Sequence, residues 1–204
     1  MAKRIGKNPL KDTSILVIDS DAGIASLMKD VLTKIGFGKV MTAFDGFEGV
    51  NKIKEQHVDF IITDWELRPR PDKLDLIPKN SVITTRYGDF PPINGASFVK
   101  SLRHSPKSPN PFVPVIMMVS QAVSNLIMFA RDSGVNEIML KPIAAEDLCD
   151  RIVRIIDMPR PFVTGKEYKG PCRRRKDHGA PKGETDRRKL TIQVIEFDPR
   201  LHHV

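Results

Sequence analysis

The sequence predicts an α/β protein built on a doubly wound parallel sheet of five strands, with a basic C-terminal extension. Five short apolar runs alternate with segments in which apolar residues recur at helical spacing. The runs do not alternate apolar with polar residues, which is typical of strands buried on both faces of a parallel sheet. Four of them end directly before a polar residue, namely Asp19, Asp64, Ser120 and Lys141. Strands that alternate with helices favour a sheet covered by helices on both faces.

The first part of the chain contains two strand–helix units and a third strand. Strands are predicted at residues 15–18, 40–43 and 60–63. Apolar residues between positions 24 and 35 recur every three or four residues, which indicates one buried helix face that ends near Gly36. A second helix is predicted over residues 47–53, after the turn signal Asp45-Gly46.

Residues 67–93 interrupt this alternation. The segment holds five prolines and shows no sustained period of either kind. An irregular connection of this length is uncommon inside a compact domain and is usually functional or disordered. We therefore predict an insertion here, beginning three residues after Asp64.

The alternation resumes after the insertion. Helices are predicted at residues 97–102, 123–131 and 148–156, and strands at residues 113–119 and 138–140. Residues 1–13 have little to bury and predict a flexible leader. The domain itself is predicted to span residues 14–158.

The positive charge is concentrated near the C-terminus. The chain has a net charge of +8, and residues 159–189 hold 11 Lys and Arg against 4 Asp and Glu. Residues 159–204 therefore predict a basic tail on a nearly neutral body. Within this tail, apolar and polar residues alternate over positions 190–197, which predicts a terminal strand. Such a strand can add to a sheet edge of its own molecule or of a neighbour.

The composition excludes several classes of protein. No apolar run approaches the roughly 20 residues that span a bilayer, and no signal peptide precedes the domain, so we expect a cytoplasmic protein without membrane contact. The two cysteines, Cys149 and Cys172, have neither the number nor the spacing of a disulfide framework or zinc site.

The polar residues that follow the strands predict one shared site. The ligand sites of parallel α/β sheets lie just beyond the carboxyl ends of the strands. The two carboxylates of Asp19 and Asp64, the hydroxyl of Ser120 and the ammonium of Lys141 should therefore meet in one crevice. Taken singly, Ser120 could instead cap the next helix, and Lys141 could be an exposed surface residue.

Six segments together resemble the receiver domains of bacterial two-component response regulators. They are Ile-Leu-Val-Ile-Asp-Ser-Asp at 15–21, Ala-Phe-Asp-Gly-Phe-Glu-Gly at 43–49, Asp-Phe-Ile-Ile-Thr-Asp at 59–64, Asn-Gly at 94–95, Pro-Val-Ile-Met-Met-Val-Ser at 114–120 and Gly-Val-Asn-Glu-Ile-Met-Leu-Lys-Pro at 134–142. The resemblance covers about residues 13–157, interrupted by the insertion, and implies the flavodoxin-like strand order.

The resemblance implies a role for each matching position. Asp64 matches the phosphoacceptor, and Lys141 matches the lysine that pairs with the phosphoryl group. Asp19 matches the first acidic residue that holds Mg²⁺, and Glu66 matches the position whose backbone carbonyl completes the metal site. Ser120 matches the hydroxyl that responds to phosphorylation. Such a site would act mostly by positioning and electrostatics.

Two positions depart from the family pattern. Ser20 stands where the family has a second acidic residue, and a hydroxyl is only a weak ligand for Mg²⁺. The adjacent Asp21 should not replace it, because its side chain is expected to point the other way. Ile138 stands where many receivers carry an aromatic residue that moves on activation. These departures keep open a pseudo-receiver, a scaffold acting without phosphorylation through its insertion and basic tail.

The resemblance implies a signalling domain rather than an enzyme, with at most self-catalysed phosphoryl transfer and autodephosphorylation. Its expected partners are a histidine kinase or histidine phosphotransfer protein and an unidentified downstream protein. The basic tail alone suggests nucleic acid as a further partner, but the scarcity of aromatics and of a helix-turn-helix pattern disfavours it. A homodimer through the terminal strand stays open.

Overall fold

The computed structural model describes residues 10–68, 94–165 and 168–173, together with the backbone of residues 83–85, 88–90 and 193–195. The leader before residue 10, most of the insertion and most of the tail lie outside the described residues. Within the described part of the chain, no helix is long and apolar enough to cross a bilayer.

The central sheet is built from five parallel strands. They are β1 (Ser14–Ile18), β2 (Lys39–Ala43), β3 (Phe60–Asp64), β6 (Val115–Val119) and β7 (Glu137–Leu140). Their order across the sheet is β2-β1-β3-β6-β7, with every neighbouring pair parallel. The predicted doubly wound sheet is confirmed, and its strand order is the flavodoxin-like one.

Five helices pack against this sheet. They are α1 (Ala22–Ile35), α2 (Gly46–Glu55), α3 (Gly95–His104), α4 (Ser124–Asp132) and α5 (Ala145–Asp157). Three begin at a polar residue that accepts a backbone hydrogen bond: Asp21 for α1, Asp45 for α2 and Asn94 for α3. Gly36 ends α1 in the left-handed conformation, with φ 110°, which glycine adopts without strain.

The sheet separates two apolar layers. Leu16 and Ile18 of β1 contribute to the layer that contains Phe98 of α3 and Phe129 of α4. Alternate strand residues face the opposite layer, which contains Leu32 of α1 and residues of α5. The three inner strands, β1, β3 and β6, therefore have both faces covered, which explains why their sequences read as continuous apolar runs.

The chain continues beyond α5 into a second, small sheet. Its strands are β8 (Phe162–Thr164), β9 (Lys169–Pro171) and β10 (Gln193–Ile195), in the antiparallel order β10-β8-β9. The predicted terminal strand 190–197 thus contains β10, and its partner is β8. Phe162 and Val163 are buried, so this part of the predicted tail packs against the body of the protein.

A buried arginine joins this small sheet to the body. The guanidinium of Arg103 on α3 donates to the carbonyls of Gly134, Pro111 and Val113 at 3.1, 2.7 and 2.8 Å. It also lies 5.4 Å from the centre of the Phe162 ring. Burial lowers the pKa of Arg103 to about 9, which reflects the cost of holding a cation among neutral acceptors.

The predicted insertion contains two short strands. They are β4 (Ile83–Thr85) and β5 (Gly88–Phe90), which pair with each other in antiparallel fashion. The sequence shows no periodic signal for them, since strands of three residues are too short to establish one. Apart from these strands and Leu67 and Arg68, the insertion lies outside the described residues.

Candidate functional site

The carboxyl edge of the sheet carries the polar residues that the sequence singles out. Asp64 is the last residue of β3, and Asp19 directly follows β1. Ser120 and Lys141 directly follow β6 and β7. Because the four strands are parallel and adjacent, their ends place these residues along one edge.

Lys141 connects the two aspartates. Its Nζ lies 3.2 Å from Asp19 Oδ2 and 3.0 Å from Asp64 Oδ1. The two carboxylates are almost completely buried, with 2% and 5% of the respective residues exposed, whereas Lys141 is half-buried. The structure therefore brings three of the predicted site residues together, and Lys141 is not a solvated surface lysine.

Burial and charge act against each other in this cluster. Burial raises the pKa of the Asp64 carboxyl, and the nearby Lys141 ammonium opposes the shift without reversing it. Burial also lowers the pKa of Lys141, but the hydrogen bond and charge of Asp64, together with the charge of Asp19, outweigh it and leave that pKa raised. Lys141 consequently stays charged at neutral pH, and the surroundings of Asp64 stabilise its ionised carboxyl less well than water does.

Asp64→Asn should stabilise the folded protein at neutral pH, because it removes a buried carboxylate whose ionisation the fold disfavours. The pH dependence follows from the raised pKa of Asp64. The variant should have the larger free energy of unfolding at pH values above the pKa of Asp64 in the folded protein. The difference should disappear below the pKa of the unfolded chain, because the wild-type carboxyl is then protonated in both states. Urea unfolding of both proteins over a pH series measures this difference.

Asp30→Asn, an exposed change on α1, serves as the control and should give no gain at any pH. A loss of stability in Asp64→Asn at neutral pH would show that the Lys141 contact outweighs the cost of burial.

The donor groups at this edge fit a magnesium ion. Mg²⁺ usually takes one or two carboxylates and completes its octahedron with water. Asp19 and Asp64 would supply the two carboxylates, and Glu66, whose backbone carbonyl is a predicted ligand, follows Asp64 by two positions with its side chain exposed. In the described part of the chain, no group of three or more His, Cys, Asp or Glu side chains is placed to hold a metal ion. The residues present do not fit a zinc-type site.

The hydroxyl of Ser20 contacts the loop that follows β3. Ser20 Oγ accepts a hydrogen bond from the backbone N–H of Arg68 at 2.6 Å and donates one to the Arg68 carbonyl at 3.3 Å. Asp21 turns away, as the sequence predicted, and its Oδ1 accepts from the N–H groups of Gly23 and Ile24 at the start of α1. The contact to Arg68 was not expected from the sequence.

Ser120 lies at the exposed rim of the site. The helix after it, α4, begins at Ser124, and the capping position belongs to Val123, which makes no side-chain cap. Ser120 therefore does not cap α4, and its predicted response to phosphorylation stays a prediction. Ile138, where an aromatic residue was expected from the family pattern, is half-buried in β7.

The loop after Asp64 is fixed by backbone contacts. The N–H of Trp65 donates to the Met118 carbonyl, and the N–H of Gly95 donates to the Trp65 carbonyl, each at 2.8 Å. A Cβ on Gly95 would lie 2.2 Å from the Asp64 carbonyl oxygen, so only glycine permits this approach. Gly95 is thus a positioning residue that sequence reasoning missed, although it belongs to the Asn-Gly pair at 94–95.

Comparison with known proteins agrees with this geometry. No family model matches the sequence. Chemotaxis protein CheY-3 of Vibrio cholerae serotype O1 is 24% identical over 147 residues, which cover 72% of this chain and 94% of that protein. The structure of CheY4 from Vibrio cholerae matches with a TM-score of 0.53 and 22% identity, over 70% of this chain and 98% of that one.

A third match comes from a kinase. The receiver domain of sensor histidine kinase PA1611 from Pseudomonas aeruginosa, solved with a magnesium ion in its active site cleft, has a TM-score of 0.51 and 20% identity. The match covers 70% of this chain and 94% of that one. These similarities, together with the strand order, show that the body of this chain has the fold of response-regulator receiver domains. Its sequence is similar to that of a chemotaxis protein over most of that protein's length.

Proposed function

We propose that this protein is a phosphorylation-controlled signalling protein that accepts a phosphoryl group on Asp64. The observation that carries the proposal is the contact of Lys141 Nζ with both Asp19 and Asp64 at 3.2 and 3.0 Å. A buried carboxylate beside a fixed ammonium suits attack on an electrophilic phosphorus, because the ammonium offsets charge that develops on the phosphoryl oxygens.

The proposed reaction is a phosphoryl transfer from a phosphohistidine of a histidine kinase or phosphotransfer protein. A carboxylate oxygen of Asp64 forms the new P–O bond while the P–N bond of the donor breaks. The electron pair of that P–N bond returns to the imidazole nitrogen, which takes a proton from solvent. Lys141 stays within contact of the transferred group, and hydrolysis of the acyl phosphate by water resets the site.

Mg²⁺ is the proposed cofactor, held by Asp19, Asp64 and the carbonyl of Glu66, with Ser20 at most a weak ligand. When bound, the ion neutralises charge on the phosphoryl oxygens. Two carboxylates instead of three acidic groups predict a modest affinity for the ion.

The proposed output is a change in protein contacts near Ser120 and α4. The Ser120 hydroxyl can donate to a phosphoryl oxygen and move its loop toward the site. Apolar side chains are exposed on this side of the molecule, with Val123 50% and Leu140 52% exposed. We propose that a protein partner, and not nucleic acid, binds this surface.

We also propose a division of the chain into segments and a location in the cell. The segments are a leader over residues 1–13, a receiver domain over 14–158 with its insertion and a basic tail over 159–204, and the location is the cytoplasm. The residues of the Arg-rich stretch after Arg173 lie outside the described part of the chain.

The second candidate function is a pseudo-receiver that signals without phosphorylation. Ser20 favours it, because a hydroxyl replaces a carboxylate in the metal site and is bonded to the loop backbone instead. The insertion and the tail would then provide the binding surfaces.

Intact mass after incubation with acetyl phosphate distinguishes the two candidates. The proposal expects a magnesium-dependent mass gain of one phosphoryl group that Asp64→Asn abolishes and Asp30→Asn retains. Absence of the adduct in the wild-type protein, even at high Mg²⁺ concentration, would favour the pseudo-receiver.

A further inference from the structure

The hydroxyl of Ser20 makes two hydrogen bonds to one backbone unit, the N–H and C=O of Arg68. Ser20 is half-buried and directly follows Asp19. A hydroxyl has one donor and two acceptor lone pairs. Both contacts together use the donor and one lone pair, so the side chain is held in one orientation toward the loop.

This contact fixes the far end of the loop that carries Glu66. At the near end, the Trp65 carbonyl accepts hydrogen bonds from the N–H groups of Leu67 at 3.0 Å and Gly95 at 2.8 Å. The Leu67 side chain is 2% exposed and belongs to the apolar core. Glu66 therefore lies between fixed neighbours, and Arg68 is the last residue before the chain leaves the described part.

We propose that Ser20 is a positioning residue of the metal site, which holds the Glu66 carbonyl in place through the backbone of Arg68. The inference rests on the proposed function only in taking that carbonyl as a magnesium ligand. Ser20 then fixes the position of a metal ligand, whereas a carboxylate at this position would add negative charge to the metal site. A fixed carbonyl loses less conformational freedom when it binds an ion, and this partly offsets the missing negative charge.

The residue type at position 20 matters for this role. An ionised carboxylate could accept from the Arg68 N–H, but it has no proton to donate to the Arg68 carbonyl. It would also be drawn toward the cation instead of the loop. Alanine removes both contacts, whereas threonine retains the hydroxyl and should retain them.

The test compares Ser20→Ala and Ser20→Thr in the full chain. Ser105→Ala is a matched control, since Ser105 Oγ also accepts a backbone N–H, that of Lys107 at 3.2 Å. NMR measures the hydrogen-exchange rates of the Arg68 and Lys107 amides. Calorimetric titration with Mg²⁺ alone measures the dissociation constant of the ion. Neither measurement requires phosphorylation.

In Ser20→Ala, the Arg68 amide should exchange about tenfold faster, and the Mg²⁺ dissociation constant should rise about tenfold. Ser20→Thr should restore both to within about twofold of the wild type. Ser105→Ala should affect only the Lys107 amide. With acetyl phosphate as the donor, Ser20→Ala should need more Mg²⁺ for half-maximal rate but reach the wild-type rate at saturation.

Three results would overturn the inference: unchanged Arg68 exchange in Ser20→Ala, unchanged Mg²⁺ affinity despite faster exchange, or no Mg²⁺ binding by the wild-type protein. A wild-type protein that binds Mg²⁺ and shows the expected Ser20 effects, but takes up no phosphoryl group, would overturn the proposed function and leave the positioning role intact.

Discussion

Lys141→Met should slow phosphorylation of Asp64 by acetyl phosphate about 10²–10³-fold, because it removes the fixed cation beside the phosphoacceptor. Lys141 Nζ lies 3.0 Å from Asp64 Oδ1, and this charge would offset the negative charge that builds on the phosphoryl oxygens. Methionine has a similar length and no charge, so the change tests the ammonium and not the packing of its stem.

The rate is measured by intact mass over time at saturating Mg²⁺. Lys52→Met is the matched control, since Lys52 also forms an ion pair with a carboxylate, that of Glu48 on the same helix, at 3.5 Å. A Lys141→Met protein that is phosphorylated as fast as the control would contradict the proposed role of Lys141.

Arg103→Met should destabilise the fold by about 3–5 kcal/mol, because it leaves three carbonyl groups without their charged donor. Arg103 is 1% exposed and donates to Gly134, Pro111 and Val113. It also contacts Phe162, so β8 should lose contact with the body in the variant.

Urea unfolding measures the change in the free energy of unfolding. Lys100→Met, an exposed change on the same helix, is the control and should stay within about 0.5 kcal/mol of wild type. If Arg103→Met unfolds at the same urea concentration as the control, the three hydrogen bonds do not stabilise the native state, and the small sheet is held by other contacts.

The features that were predictable from the sequence have local signals. Each strand of the central sheet is a short apolar run, and the residue that follows it occupies the site edge because all the strands are parallel. The placement of Asp19, Asp64 and Lys141 at this edge was predicted in this way. The starts of α1 and α2 also depend on local contacts, since Asp21 and Asp45 accept hydrogen bonds from backbone N–H groups two or three positions later.

The features that were missed depend on residues far apart in the chain. Ser20 and Arg68 are 48 positions apart, and Arg103 and Gly134 are 31 positions apart. No spacing pattern connects such pairs before the fold is known. The small sheet was missed for a different reason: β8 and β9 have three residues each, within a segment rich in Pro, Gly and Arg that reads as a solvated tail.

Chemical mapping of the modified residue tests the central claim most directly. Borohydride reduces a phosphoaspartyl group to homoserine, so peptide mass spectrometry after treatment with acetyl phosphate and Mg²⁺ identifies the acceptor. We predict homoserine at position 64 alone, and none in Asp64→Asn. Homoserine at another aspartate, or a phosphoryl group that resists reduction because it is bound to a hydroxyl, would contradict the assignment of Asp64 as the phosphoacceptor.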